Sequence, residues 1–193
     1  MRKIIALTGP KGSGKDTVAA VIKQQYGEEY NVRTIAFADP IKQKIQHLFD
    51  LDPQSVEQYD QFKRTDVKYQ LPGHLEHSVP GRHVVREIGM LMREYNVDQF
   101  TRYVITQFLS DTDPKTIWIV TDLRFDNEYI TLRTHGAKIL KVTRPTYAYD
   151  GHITERGFDD HLVDKQVLND GSLDYLGIRV KIVMDQLIKE WNL

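Results

Sequence analysis

Near the start of the chain, glycines and lysines recur at fixed intervals in Gly9-Pro10-Lys11-Gly12-Ser13-Gly14-Lys15-Asp16-Thr17, a G-x-x-x-x-G-K pattern. Glycines let a backbone turn sharply and aim successive N–H groups to one side, and a lysine after them adds a full positive charge. The chemistry open to that combination is the binding of a polyphosphate. The pattern carries physical weight only between a strand and a helix. Both flanks qualify, Ile4-Ile5-Ala6-Leu7-Thr8 before it and Val18-Ala19-Ala20-Val21-Ile22 after it. Lys11, Gly12, Ser13, Gly14, Lys15, Asp16 and Thr17 are therefore assigned to the phosphates of ATP, with Lys15 also stabilising the transferring group.

One position departs from the usual pattern. A Ser or Thr that holds Mg²⁺ normally follows the lysine, whereas here Asp16 stands in that place and Thr17 comes next. Nucleoside monophosphate kinases of the adenylate kinase type also carry their Thr one residue later, so the spacing resembles theirs. Asp16, Thr17 and a later carboxylate, Asp122, are the candidate Mg²⁺ ligands. Asp122 follows Ile117-Trp118-Ile119-Val120-Thr121, where phosphate-loop enzymes commonly hold the metal, although capping of the next helix explains it as well.

Cations supply the other half of the chemistry. Arg82, Arg86 and Arg93 are spaced by four and seven residues, so a helix would align them along one stripe. Such a stripe is either a solvated face or a clamp for the phosphate of an acceptor. The adjacent basic run Phe62-Lys63-Arg64-Thr65-Asp66-Val67-Lys68 favours the clamp, and arginine suits it because its planar fork meets phosphate oxygens bidentately. Arg124 and Glu128 have i,i+4 spacing and read either as ligand contacts or as a surface ion pair. Asp39 and Lys42 follow the second strand. His152 and the other histidines show no metal-ligand spacing.

The elements that must position these groups are legible as alternating apolar runs. Strands are predicted at Lys3–Thr8, Val32–Phe37, Lys115–Thr121, Ala137–Thr143 and Leu162–Leu168; the first runs without polar alternation, as a buried parallel strand does, and Lys115–Thr121 gives the strongest buried-strand signal. Helices are predicted from the phosphate loop to Tyr26, from Asp39 as N-cap with Pro40 at the first position, from Gly81 to Tyr95, from Asp98 to Leu109, and from Arg124 to His135. A last helix carries Leu173, Leu176, Val180, Val183, Leu187 and Trp191 on one face. The predicted fold is α/β, a three-layer sandwich of the P-loop NTPase type with a five-stranded parallel sheet, ligands gathering at the carboxyl ends of the strands. One domain over 1–193 is expected, with a substrate-side excursion over about 51–111 and a lid-like loop over about 144–161. Pro53, Pro72, Gly73 and Pro80 break up Leu51–Pro80, which reads as an irregular, mobile stretch.

Composition excludes several classes. A net charge of −1 gives no electrostatic case for nucleic acid or a membrane surface. The absence of cysteine removes disulfides, thiolate metal sites and cysteine nucleophiles, and fits a cytoplasmic protein. After Met1-Arg2-Lys3 the apolar stretch of about six residues is too short for a secretory signal or a membrane span.

Taken in order, several segments resemble the deoxynucleoside monophosphate kinases of T-even phages. They are Ser13-Gly14-Lys15-Asp16-Thr17, Pro40-Ile41-Lys42, the Arg82–Tyr103 region with Gly89 and Asn96, Asp122-x-Arg124-x-Asp126-x-Glu128, Val142-Thr143-Arg144-Pro145, His152-Ile153-Thr154-Glu155-x-Gly157 and Asn169-Asp170-Gly171-Ser172-Leu173. The resemblance implies transfer of the ATP γ-phosphoryl group to a deoxynucleoside monophosphate with Mg²⁺, a homodimer, and action in the host cytoplasm if phage-encoded. It places Lys11, Ile41, Lys42, Arg82, Arg86, Arg93, Asp122, Arg124 and Glu128 on the acceptor side, with Lys15, Arg82, Arg86 and Arg124 catalytic. Arg86 stands where the relatives are expected to carry glutamine. Two rival readings remain: a kinase for a hydroxyl acceptor, similar to dephospho-coenzyme A kinase, with Asp39 as base, and a nucleotide-binding module without catalysis.

Overall fold

Runs of β-branched and aliphatic residues without polar alternation belong in the middle of a sheet covered on both faces, and this chain places them there. The structure is a computed structural model that describes residues 2–64, 68–71, 74–145 and 158–192. In chain order its elements are β1 (Lys3–Thr8), α1 (Lys15–Tyr26), β2 (Asn31–Ile35), α2 (Asp39–Leu48), α3 (Val56–Phe62), β3 (Lys68–Leu71), β4 (His74–Pro80), α4 (Gly81–Tyr95), α5 (Gln99–Ser110), β5 (Thr116–Val120), α6 (Asp126–Thr134), β6 (Lys138–Thr143), a 3₁₀ turn (Asp160–Leu162), β7 (Lys165–Leu168) and α7 (Leu173–Glu190). The chain divides into two compact units, Met1–Phe37 with Val104–Leu193, and Ala38–Tyr103.

The first unit holds a parallel sheet in the order β2-β5-β1-β6-β7. β1 lies at its centre, and Ile4, Ile5, Ala6 and Leu7 are wholly buried. On one face Ile5, Leu7, Ile117, Ile119, Leu140 and Val142 meet the apolar sides of α1 and α7, with Val18 and Ile22 from the former and Leu176, Val180, Met184 and Leu187 from the latter. At about 2 kcal/mol for each fully buried aliphatic side chain, this face is the main source of cohesion in the unit. On the other face, Phe108 of α5 packs on Trp118 with ring centroids 5.3 Å apart. Helices therefore cover the sheet on both sides, as the sequence predicts. Leu173 is a correction, because it is exposed and the packed stripe of α7 begins at Leu176.

The second unit is built on α2, α3, α4 and an antiparallel pair, β3 with β4. Gly89 lets α4 approach α2, since a Cβ there would lie 3.0 Å from Cδ1 of Ile41. Gly81 is tighter still: a Cβ would meet the Phe62 carbonyl oxygen, so the start of α4 is pressed onto the end of α3. Ser55 caps α3 by accepting from the Gln58 N–H at 3.1 Å. The expectation of an irregular stretch over Leu51–Pro80 is thus corrected; it carries a capped helix and a two-stranded ladder. Hydrophobic periodicity misses both because α3 is only seven residues long.

Two helix starts also differ from their sequence predictions. Asp39 is the first helical residue of α2, not its cap; Ala38 takes the N-cap position with no side-chain bond. The helix after β5 starts at Asp126, so Arg124 lies before it and does not share a helix face with Glu128. Glu128 is 1% exposed and turns back to the chain entering the helix, where Oε2 accepts from the N–H groups of Arg124 at 3.0 Å and Phe125 at 3.1 Å. An acidic residue at the third helical position satisfying donors ahead of the helix is one half of a capping box.

The predictions that follow concern stability. Replacing Glu128 by Ala leaves two N–H groups without that acceptor and is expected to cost about 2 kcal/mol, measured by denaturant unfolding. Tyr59 in α3 is 6% exposed; burial first, then the charges of Asp60 and Asp39, push its phenol up to about 12, with Arg82 opposing. Between about pH 10 and 12 the unfolded chain loses this proton while the folded protein keeps it, so stability is complete below pH 10 and falls as pH rises through that window. Tyr59→Phe should flatten that part of the stability curve.

Candidate active site

The Gly9–Gly14 loop leaves the carboxyl end of β1, the central strand, and its shape is set by glycines. Gly9, Gly12 and Gly14 have φ of 135°, 75° and 97°, conformations that side chains resist. A Cβ on Gly9 would also lie 2.2 Å from the carbonyl oxygen of Val142 in β6, so the loop opens by lying directly on neighbouring backbone. Gly14 is the N-cap of α1, in the left-handed region, and directs the first amides of that helix into the loop. Lys15 is 8% exposed and its Nζ donates to the carbonyls of Gly9 and Pro10, both at 2.8 Å. A buried ammonium is thus held against the loop by the backbone it encloses.

Other groups fix this loop from outside. Asn169, directly after β7, donates from Nδ2 to the Ser13 carbonyl at 2.9 Å, and its backbone N–H donates to Thr143 at the end of β6 at 2.7 Å. The hydroxyls of Thr8 and Ser13 are buried without a hydrogen-bond partner among the described residues. Polar atoms sequestered in this way mark a place where further hydrogen-bonding groups are accommodated.

The remaining candidates of the first unit lie after β5. Asp122 is half-buried and accepts from the Phe37 N–H at 2.7 Å, which ties the end of β5 to the chain leaving β2. Its other sequence explanation, helix capping, is corrected by the start of α6 at Asp126 with Phe125 as N-cap. Arg124 is half-buried on the segment between β5 and α6. Asp16 and Thr17 are exposed in the first turn of α1, and Lys11 is half-buried on the loop. Among the described residues no cluster of His, Cys, Asp or Glu is placed to cage a metal ion.

In the second unit, Lys42 of α2, Lys63 at the end of α3 and Arg82 of α4 come together around Tyr59. The ammonium groups of Lys42 and Lys63 stand 5.2 Å and 4.5 Å from the Tyr59 ring centroid, and the charge of Arg82 acts on the phenol. Asp39 belongs to the same neighbourhood, its charge acting on both Tyr59 and Tyr103. Arg82, Arg86 and Arg93 are each half-buried rather than forming a fully solvated face. Arg93 differs from the others in lying over the Phe100 ring, 4.6 Å from its centroid. Ile41 is buried and packs toward Gly89. Sequence reasoning did not find Tyr59, whose only signal is an aromatic residue in a polar stretch. The tract with His152, Ile153, Thr154, Glu155 and Gly157, most of the lid-like loop, and Thr65, Asp66 and Val67 of the basic run lie outside the described residues. Among the described residues no helix is long and apolar enough to cross a membrane.

Comparison with known proteins adds a family to this geometry. A solved dephospho-CoA kinase from Campylobacter jejuni aligns over 100% of both chains with a TM-score of 0.53 at 16% identity, a likeness of fold. A candidate deoxynucleotide monophosphate kinase of Acanthamoeba polyphaga mimivirus is 27% identical over 76% of this chain and 77% of its own. The deoxynucleotide monophosphate kinases of Enterobacteria phage T4 and Escherichia phage RB69 are 37% and 33% identical over 46% and 50% of this chain. These matches span 36% and 39% of the two phage proteins' own length. The sequence model of the family described as deoxynucleotide monophosphate kinase matches residues 3–99 and 84–180, nearly the whole chain. The chain belongs to the deoxynucleotide monophosphate kinase family.

Proposed function

We propose that this protein transfers the γ-phosphoryl group of ATP to a deoxynucleoside 5′-monophosphate, giving ADP and a deoxynucleoside diphosphate. The observation that carries the reading is the Gly9–Lys15 loop, a strand-to-helix turn with three left-handed glycines and a buried ammonium held over it. Backbone N–H groups and the amino end of α1 bind the ATP phosphates, and Lys15 follows the charge that develops on the transferring group. Mg²⁺ fits this donor set. Thr17, Asp16 and Asp122 offer hard oxygen donors, and a metal in such enzymes is completed by phosphate and water oxygens rather than by a protein cage. When bound, it neutralises charge on the phosphoryl oxygens.

A monophosphate acceptor needs no general base, because its second pKa lies near ~6 and its attacking oxygen is largely ionised at neutral pH. It needs cations that overcome the repulsion between two anions. In the second unit Lys42 and Arg82 supply them, Arg86 adds to them, and Arg93, stacked on Phe100, orients α4 instead. Arg124 takes the acceptor side of the first unit, while Glu128 acts through its hold on the Arg124 backbone. Phe158 is fixed to the first unit, its carbonyl accepting from Lys141 and its ring stacking on Tyr129. A homodimer acting in the cytoplasm completes the reading.

Asp39, the first residue of α2 and close after β2, sustains the alternative of a hydroxyl acceptor as its base. ADP release with Mg-ATP, measured against deoxy- and ribonucleoside monophosphates and dephospho-coenzyme A, separates the two. Turnover confined to deoxynucleoside monophosphates is expected, with Asp39→Asn changing kcat less than about three-fold and Arg82→Ala raising the acceptor KM by about ten-fold or more. Turnover with dephospho-coenzyme A alone, abolished by Asp39→Asn, would transfer the catalytic role to Asp39.

A further inference from the structure

Asn169 is distant from the phosphate loop in sequence and joined to it in space. Its side-chain amide donates to the Ser13 carbonyl at 2.9 Å across 156 positions of chain. Its backbone N–H is bonded to Thr143, so the residue is anchored at the ends of β6 and β7 before its side chain reaches the loop. Arg179 of α7 fastens the same turn by donating to the Leu168 carbonyl and to Asp170 Oδ1. The contact with the loop is close: a Cβ on Gly14, whose φ is 97°, would lie 2.2 Å from Asn169 Nδ2 and push the amide aside.

We infer that Asn169 is a positioning residue for nucleotide phosphates. In a trans peptide the carbonyl and the following N–H point in opposite directions. The bond that draws the Ser13 carbonyl toward Asn169 therefore turns the Gly14 N–H the other way, off the side of the loop that Asn169 occupies. A loop in the left-handed region has alternative peptide orientations of similar energy, and a hydrogen bond to one carbonyl selects among them before the ligand arrives. The amide does this without charge, so it does not compete with lysine for the anion. Asn169 touches no reacting atom in this scheme; it lowers the cost of ordering the cradle.

The test uses ADP as the probe and is independent of which acceptor the enzyme takes. ADP affinity is measured by calorimetry for the unaltered protein, Asn169→Ala and Asn169→Asp, with circular dichroism and thermal unfolding to confirm folding. Asn169→Asp preserves shape but sets an oxygen against the Ser13 carbonyl. The ADP Kd is expected to rise about ten-fold in Asn169→Ala and further in Asn169→Asp, as for loss of a buried hydrogen bond. In turnover the KM for ATP should rise while the acceptor KM stays within two-fold. Lowering the pH toward 5 should narrow the gap between Asn169→Asp and the unaltered protein, because protonation returns a donor. Folded variants that bind ADP within two-fold of the unaltered protein would overturn the assignment, leaving Asn169 a packing residue. If the variants do not fold, ¹⁵N spectra of the unaltered protein decide: slower exchange of the Asn169 side-chain amide on ADP binding supports the role, and unchanged exchange at saturation overturns it.

Discussion

Two stretches of main chain press together in the first unit: a Cβ at Gly9 would lie 2.2 Å from the Val142 carbonyl oxygen. A side chain at position 9 would need the β6 backbone to move, and the loop would lose its starting direction. That single contact explains why the loop follows the central strand. β1 is flanked by β5 and β6, and an exit laid against one neighbour's carboxyl end is held by a sheet that is buried on both faces. The remaining restraints, the Lys15 ammonium on the loop carbonyls and Asn169 on Ser13, act on a path already chosen there. The path of the loop is thus set by main chain, whose dipoles keep their sign at every pH, and the Lys15 ammonium adds a full charge to them.

The sequence made the parallel sheet legible because each strand carries its own signal. Ile4 to Leu7 and Ile117 to Val120 are apolar without interruption, a pattern that only burial on both faces accommodates. The phosphate loop was equally plain, since glycine spacing encodes a backbone conformation locally. The second unit was much less so. α3 is stabilised by Ser55 at its cap and by the aromatic pair of Phe49 and Phe62, whose ring centroids are 4.7 Å apart, and neither of these produces a repeating pattern. Glu128 misled for a different reason: i,i+4 spacing assumes that Arg124 is already helical, whereas the carboxylate stops the helix short of it by capping the entering chain. Local spacing says which residues can meet on a helix; it does not say where the helix starts.

The two units manage charge in different ways, and this bears on what each can recognise. In the first, the Lys15 ammonium donates to the neutral carbonyls of Gly9 and Pro10, and the Ser13 carbonyl accepts from the Asn169 amide. In the second, Lys63 is paired with Asp60 at 2.8 Å while also lying over the Tyr59 ring, so much of its charge is answered locally. Lys42 has the ring of Tyr59 as its partner, and no carboxylate among the described residues lies within ion-pair distance of it. An aromatic face attracts an ammonium by its quadrupole without carrying a net negative charge, so it orients the side chain and leaves its long-range field almost intact. A carboxylate in the same place would have to be displaced by any phosphate that approached. Holding Lys42 on Tyr59 therefore orders a cation without neutralising it, whereas the charge of Lys63 on the same ring is answered by Asp60.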